Sequence, residues 1–435
     1  MAQLEGFVKN FFFEQSKKLW IIGISLAYTY LIANFLGPEE YGLVTYFIRF
    51  VASLPNLFGL YFLQNVFQTF NPRYKSREFF KLLLKIQLAV VILIGAAIWL
   101  FASDITQFLE KKDVFLLQAS VLTILTMPAY MSFLFLMRTF KRFKKTMVAE
   151  IAMNTSNLCV ALLLVVALKF GGTGVIYAQF TASMIALALL YGQYRKLPFE
   201  DRPIDFGELG RFSVFSLPTS FMSRAYDTFF NIVLGLSAGA AQLGYFYIIQ
   251  KIANVFIGTG NSALDDVLHP YVMEKNNEKK TLENFISMNI KASIVLALGL
   301  GAISTAAAYV FVPLLLPKYS PGLYLLPLFV LAIAIQSATA ISQIFISINR
   351  IEFRLATNII SLIVCVPYGF LVAVNLGLPG AISLMALYAA LQGGISHFFA
   401  KRLGYNVQIL PRPKDIMFFA GAVTKVAVER LTKKQ

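Results

Sequence analysis

The sequence predicts an all-α polytopic membrane protein, with about 12 transmembrane helices in two parallel-repeat six-helix bundles around a central cavity. Three observations carry this expectation. The chain is 58% hydrophobic and only 14% charged, where soluble domains carry about 25% charged residues. Apolar runs of about 18 residues or more recur from end to end, as spanning helices require. The chain also matches itself when displaced by about 200 residues. Barrel strands would alternate apolar and polar residues in short segments, and these runs do not.

Twelve spans are expected, at roughly 15–36, 39–69, 77–101, 114–138, 146–169, 174–194, 209–235, 241–268, 285–314, 322–347, 352–375 and 379–400. They group into an N-terminal six-helix bundle (1–196), a cytoplasmic linker (197–208), a C-terminal six-helix bundle (209–402) and a cytoplasmic tail (403–435). In the tail an apolar stretch from Ile416 to Val428 is interrupted by Lys425 and is short for a span. An amphipathic helix lying on the membrane surface is expected there, with a clipped thirteenth helix as the alternative.

The formal net charge is +16, which raises the question of nucleic acid. Its distribution answers otherwise. Of the 38 Lys and Arg, 29 fall in the termini and the alternate loops on the N-terminal side; only Lys111, Lys112, Lys169 and Lys318 fall in the opposite loops. Positive charge marks the cytoplasmic side, so both termini are expected in the cytoplasm and the protein in the cell (inner) membrane, with anionic headgroups attracted to its basic loops. No nucleic acid is expected. Two cysteines in apolar runs and two distant histidines exclude a disulfide framework and a zinc site. The N-terminal segment carries acidic residues and no cleavage site, so it is not expected to be a cleaved signal. No metal, cofactor or catalytic residue is expected.

The internal repeat places "LGPEEYGLVTYFIRFVA" over "LSAGAAQLGYFYIIQKIAN": Gly37 meets Gly239, Gly42 meets Gly244 and Arg49 meets Lys251. Six helices per half is an even number, so the halves share one orientation and relate by an axis along the membrane normal. Transporters built this way bind substrate between their repeats.

Five cations remain inside spans: Arg49, Lys85, Arg224, Lys251 and Lys291. Arg49 lies roughly 16 Å along its helix from Pro38, near the middle of a ~30 Å hydrocarbon core. A charge there costs about 2.5–3.5 kcal/mol on insertion scales, so it is expected to face a wet interior. Lys251 lies at the matching depth. Arg224 and Asp227 are three apart and share a helix face; they form either a structural ion pair or a cation with a nearby carboxylate for ion coupling. Lys85 and Lys291 lie nearer the inner ends and can snorkel. Guanidinium suits phosphate because its fork reaches two oxygens. Arg49, Arg224 and Lys251 are therefore candidate substrate-binding cations in the cavity and Asp227 a candidate coupling carboxylate. Tyr46, Tyr247, Gln250 and Asn254 are candidate sugar contacts, with Asn56, Gln64, Tyr226, Asn231, Tyr245 and Asn261 nearby. Tyr residues in spans serve packing as readily. Asp265 and Asp266 mark the inner mouth of their helix.

The "LGPEEYGLVTYF" turn, the 200-residue repeat, the dozen helices and the basic inner loops together resemble polysaccharide-biosynthesis flippases of the Wzx (O-antigen translocase) type. These belong to the multidrug/oligosaccharidyl-lipid/polysaccharide exporter superfamily. The resemblance implies two six-helix bundles around a cationic cavity and transport of polyprenyl-(pyro)phosphate-linked oligosaccharide to the outer leaflet by alternating access. It implies cavity cations at Arg49 and Lys251. Membrane lipids, a polysaccharide polymerase and glycosyltransferases would be partners. A multidrug antiporter wants an acidic cavity, and the first span has no acid; a lipid II flippase of this superfamily looks longer. A membrane glycosyltransferase would need acids or bases at a large outer loop or groove, and "FASDITQFLEKKD" is slight.

Overall fold

The computed structural model describes residues 2–200, 205–258, 279–342, 344–345, 348 and 350–412. Every regular element among them is a helix. All twelve expected spans meet helical segments. Helix α1 (Ala2–Pro55) contains the first span and most of the second, bent where Gly37 takes φ 73 and ψ 174. That positive φ is open to glycine at little cost, so the Gly-Pro turn read in the sequence is a true break. A π-turn at Asn56–Leu60 and α2 (Tyr61–Tyr74) complete the second span. Then follow α3 (Arg77–Leu100), a short α4 (Ala102–Phe108), α5 (Val114–Thr139), α6 (Phe143–Ala161) and α7 (Gly171–Tyr194). The second half holds α8 (Phe206–Ser237), α9 (Ala240–Ala253), α10 (Lys279–Leu315), α11 (Leu325–Gln336), α12 (Ile351–Tyr368) and α13 (Leu378–Arg402).

Local chemistry sets several starts. Ser76, Asp113 and Asp205 each cap the helix that follows: Asp113 Oδ1 accepts from Leu116 N at 2.8 Å, and Asp205 Oδ1 from Gly207 N and Glu208 N at 2.9 and 3.0 Å. Nine helical stretches among the described residues are long and apolar enough to cross a membrane. The first of these, Trp20–Asn71, holds two expected spans around the Gly37 bend. Helix α8 is long enough but too polar over its length, with Arg224, Asp227 and Asn231 in its otherwise apolar stretch. Large apolar side chains such as Leu93, Leu100, Leu314, Ile363 and Leu371 are exposed, as lipid-facing residues must be.

The chain divides into two compact units, one of residues 1–248 and 312–321, the other of 249–311 and 322–435. In unit 1, α1 just after the Gly37 bend and the start of α9 meet backbone to backbone. A methyl added at Gly42 would strike the carbonyl oxygen of Ala240, and one added at Gly244 would strike that of Pro38. Pro38 and Ala240, like Gly42 and Gly244, stand 202 positions apart. The contact is therefore isologous, each half giving the other what it receives, as across a two-fold axis. The sequence repeat is thus visible in space.

Other contacts close the same end. Lys111 Nζ donates to the carbonyls of Gly235 and Ala238 at 2.9 and 2.8 Å, at the C-terminus of α8. There a cation meets both unpaired carbonyls and the negative end of the helix dipole. Burial holds the Lys111 amine below its ordinary pKa, against the opposite pull of Glu110. Tyr319 donates to Ala33 O at 3.0 Å and Asn34 Nδ2 to Leu315 O at 3.1 Å. Glu40, from the Gly-Pro-Glu-Glu turn, accepts from Gly172 N at 2.6 Å and so places a carboxylate on the N-terminus of α7. At the opposite end, aromatic side chains of Phe67, Phe70, Tyr74, Phe80, Phe133 and Tyr194 pack edge and face. The start of the linker is tied there by Lys75 to Glu200 (2.9 Å) and by Glu200 N to Lys75 O (3.0 Å).

In unit 2, α10 and α11 approach where Gly301 faces Val330, and α13 approaches the 3₁₀ turn Ser337–Ser342 where Gly393 faces Ala338. Gln392 Nε2 donates to Asn358 Oδ1 at 2.8 Å between α13 and α12. After α13 the chain runs as a non-helical strap along α10. Asn406 N donates to Glu283, Gln408 N to Ser287 Oγ, and Val407 is buried. Lys291, read from sequence as a snorkelling residue, is instead buried and donates to Gln408 Oε1 at 2.8 Å. The apolar tail segment 416–428 lies outside the described residues.

Gly42→Ala and Gly244→Ala are each expected to lower the melting temperature of the purified protein, because the obstacle is backbone and overpacking costs about 1–3 kcal/mol. Gly192→Ala, with nothing within 4 Å of its added methyl, should leave it unchanged or raise it. Lys111→Met should destabilise by about 1–3 kcal/mol through the carbonyls it strands, read by the same melt.

Candidate functional site

Along unit 1 the second expected span and α8 run antiparallel and in register. Tyr46 donates to Asn231 O at 3.1 Å, Thr228 to Ser53 O at 3.4 Å, and Asn65 Nδ2 to Ser220 Oγ at 3.2 Å. Arg224 and Asp227 fall between the last two rungs, opposite the place where the partner helix is broken. Pro55 has no amide hydrogen to give, the chain widens into the π-turn, and Phe58 and Gly59 leave helical geometry (ψ 25 and φ 111). π-turns inside α-helices are frequent at functional sites.

Arg224 Nη1 lies 2.7 Å from Asp227 Oδ2, and its guanidinium carbon lies 3.7 Å from the Tyr61 ring centroid. Both charged groups are partly exposed, at 31% and 46% of their side-chain surface, so the pair is not sealed in a core. The Arg224 Nε is buried without a hydrogen-bond partner. Arg49 is exposed, and its guanidinium lies 4.6 Å over the ring of buried Tyr247. Two guanidinium groups in membrane-embedded helices thus each rest on a tyrosine face. That contact stabilises the cation, and a guanidinium carries its N–H donors around its edge rather than on its face.

The other expected residues are placed differently. Tyr46 is fully buried, its hydroxyl is used on Asn231, and its ring seals Gly235; here it packs. Tyr247 offers its ring to Arg49 and keeps a buried hydroxyl without a hydrogen-bond partner. Gln250 and Lys251 belong to unit 2 and are half-buried, and Asn254 is exposed where a second π-turn, Asn254–Gly258, begins. Asn261, Asp265 and Asp266 lie outside the described residues. No group of three or more His, Cys, Asp or Glu able to hold a metal occurs among the described residues. Sequence reasoning missed Tyr61, whose role depends on the broken helix. It also missed Gln179 and Thr123, which with Tyr61 and Arg224 line a cavity of about 250 Å³. Their one signal was a polar group inside an apolar run.

A family profile described as polysaccharide biosynthesis protein matches residues 31–319. The chain belongs to this polysaccharide biosynthesis family. Solved structures show the fold it takes. It is similar to the lipid II flippase MurJ in an inward closed conformation, with 12% identity, a TM-score of 0.69, and coverage of 98% of this chain and 93% of that one. It is similar to the Vibrio cholerae MATE transporter VcmN at 13% identity and a TM-score of 0.61, covering 93% and 98%. An inward-facing multidrug resistance MATE transporter of the MOP superfamily matches at 13% identity and a TM-score of 0.57, covering 91% and 94%. No curated protein sequence matches. This member of the polysaccharide biosynthesis family is therefore a helical, polytopic membrane protein with the fold of MOP-superfamily transporters.

Because a half-exposed ion pair contributes about 1 kcal/mol or less, Arg224→Gln and Asp227→Asn should each shift the melting temperature only slightly. A large drop would mark the pair as a structural clasp.

Proposed function

We propose that this family member flips a polyprenyl-(pyro)phosphate-linked oligosaccharide from the cytoplasmic to the outer leaflet by alternating access, for cell-surface polysaccharide. The observation that carries the reading is the pair of tyrosine-backed guanidinium groups, Arg49 on Tyr247 and Arg224 on Tyr61. Charges inside membrane spans are retained for substrate or ion handling, and guanidinium groups suit a phosphate diester or diphosphate. The family's name supplies the saccharide. The twelve spans form two six-helix bundles, 1–196 and 209–402, with both termini cytoplasmic, following the loop charges. Lys251, the repeat mate of Arg49, and its neighbours Gln250 and Asn254 are proposed as further substrate contacts on the strength of the sequence repeat.

Asp227 gives the cycle a coupling step. Phosphate and Asp227 compete for the same guanidinium, so substrate binding draws Arg224 away from its carboxylate. The released carboxylate is then the group able to take a proton or a cation. The protein acts as a transporter rather than an enzyme, beside the glycosyltransferases that build the substrate and a polymerase that extends it.

The test is made in the native host. Deleting the gene should abolish surface polysaccharide and accumulate lipid-linked oligosaccharide at the inner leaflet. Wild type should rescue; Arg49→Ala and Lys251→Ala, present at wild-type levels in the membrane, should lose about ten- to a hundredfold in rescue, the worth of one charged hydrogen bond. Unchanged glycan in the deletion strain would overturn the reading.

A further inference from the structure

The break opposite Arg224 opens a space. Pro55 and Pro128, on facing helices, both stand on the wall of the 250 Å³ cavity, with Asn56, Tyr61, Gln64 and Gln179. Proline supplies no amide hydrogen and leaves the carbonyl one turn earlier without its usual donor. On the cavity wall that is the carbonyl of Ile124. Asn56 spends its Nδ2 on Ala52 O (2.9 Å) and Thr123 its hydroxyl hydrogen on Ser120 O (2.7 Å). The oxygens of both side chains remain able to accept. The wall thus combines apolar side chains such as Ile48, Leu60, Met127 and Met131 with three neutral amides, a hydroxyl, a phenol and one cation, Arg224, whose buried Nε has no hydrogen-bond partner. No carboxylate lines it.

Several occupants do not fit this wall. A metal or organic cation needs acidic or dense oxygen ligands, and Arg224 repels it. A lipid tail would strand the amides in hydrocarbon. The volume is below the roughly 300–1,000 Å³ of a drug-sized pocket, so it holds one ring and not a chain of them. What suits it is a small neutral ligand rich in hydroxyls, next to an anion.

We propose that this cavity is a subsite for one neutral sugar ring, the one joined directly to the phosphate held by Arg224. The proposal rests on the flippase reading above and adds its specificity element. Recognition runs through hydrogen bonds rather than ring stacking, because the Tyr61 face is already covered by Arg224. Asn56, Thr123 and the Ile124 carbonyl take hydroxyl hydrogens, and Gln64 and Gln179 present both donor and acceptor.

The experiment compares two ligands on purified full-length protein in lipid nanodiscs: a short-chain polyprenyl diphosphate, and the same lipid bearing a single neutral hexose. Wild type should bind the hexose-bearing lipid about tenfold more tightly, the worth of one or two hydrogen bonds. Gln179→Leu, which removes the amide, and Ala52→Leu, which fills the space from a second helix, should each erase most of that advantage. Equal binding of the two lipids to wild type would overturn the subsite and leave the flippase reading standing. Binding of neither lipid would remove the flippase reading itself. The wild-type comparison needs no variant to fold, and a monodisperse elution profile qualifies each variant before use.

Discussion

Two helix backbones touching at Gly42 and Gly244 set the geometry of unit 1. In a membrane the hydrophobic effect does not drive helices together, so association relies on close packing, and small residues permit it. Here the approach is so close that no side chain fits. It brings α8 and α9 against the N-terminal helices, and the register that follows places Arg224 opposite Pro55 and Arg49 over Tyr247. The surrounding contacts are consequences of the same approach. Lys111 reaches the end of α8, Tyr319 reaches Ala33, and Tyr46 fills the space left by Gly235.

The candidate site lies about four to five turns further along the same seam. Its chemistry depends on a defect. An unbroken helix through 55–60 would satisfy its own carbonyls and present a smooth face to α8. Proline removes one donor, glycine permits a positive φ, and the widened turn exposes amides and lets Tyr61 lie against Arg224. Polar groups that would be costly in lipid are then gathered at one place. A cation, its carboxylate and a neutral hydrogen-bonding cavity stand in contact or on one wall. A headgroup of phosphate and sugar has the complementary division of charge and polarity.

The basic residues divide into two physical kinds. Most lie in the loops and termini between the apolar runs. Some loop and end cations nevertheless have structural posts: Lys75 ties down the linker, Lys111 caps α8, and Arg138 pairs with Glu150 at 3.0 Å. Lys291 belongs with these, since it fastens the strap after α13 to α10. Arg49 and Arg224 differ in standing inside the spans; the aromatic face beneath each guanidinium is one they share with end cations such as Arg138 and Arg195.

The sequence by itself determined the class of the protein, its twelve spans, the break at Gly37 and the 202-residue repeat. Each is written in local composition or in a periodicity, and the bilayer makes that code strict by forbidding unsatisfied backbone. It also marked Arg49, Arg224 and Asp227, since charge in an apolar run is conspicuous. Only the tertiary structure decided what those charges face. Tyr46 and Tyr247 read alike in sequence, yet one is sealed against Gly235 and the other lies under Arg49. Tyr61, Thr123 and Gln179 come together from three helices around a break whose direction no local rule gives. Helix positions in a membrane are set by side-chain packing between elements distant in sequence, and that information resides in pairs of residues rather than in any single stretch.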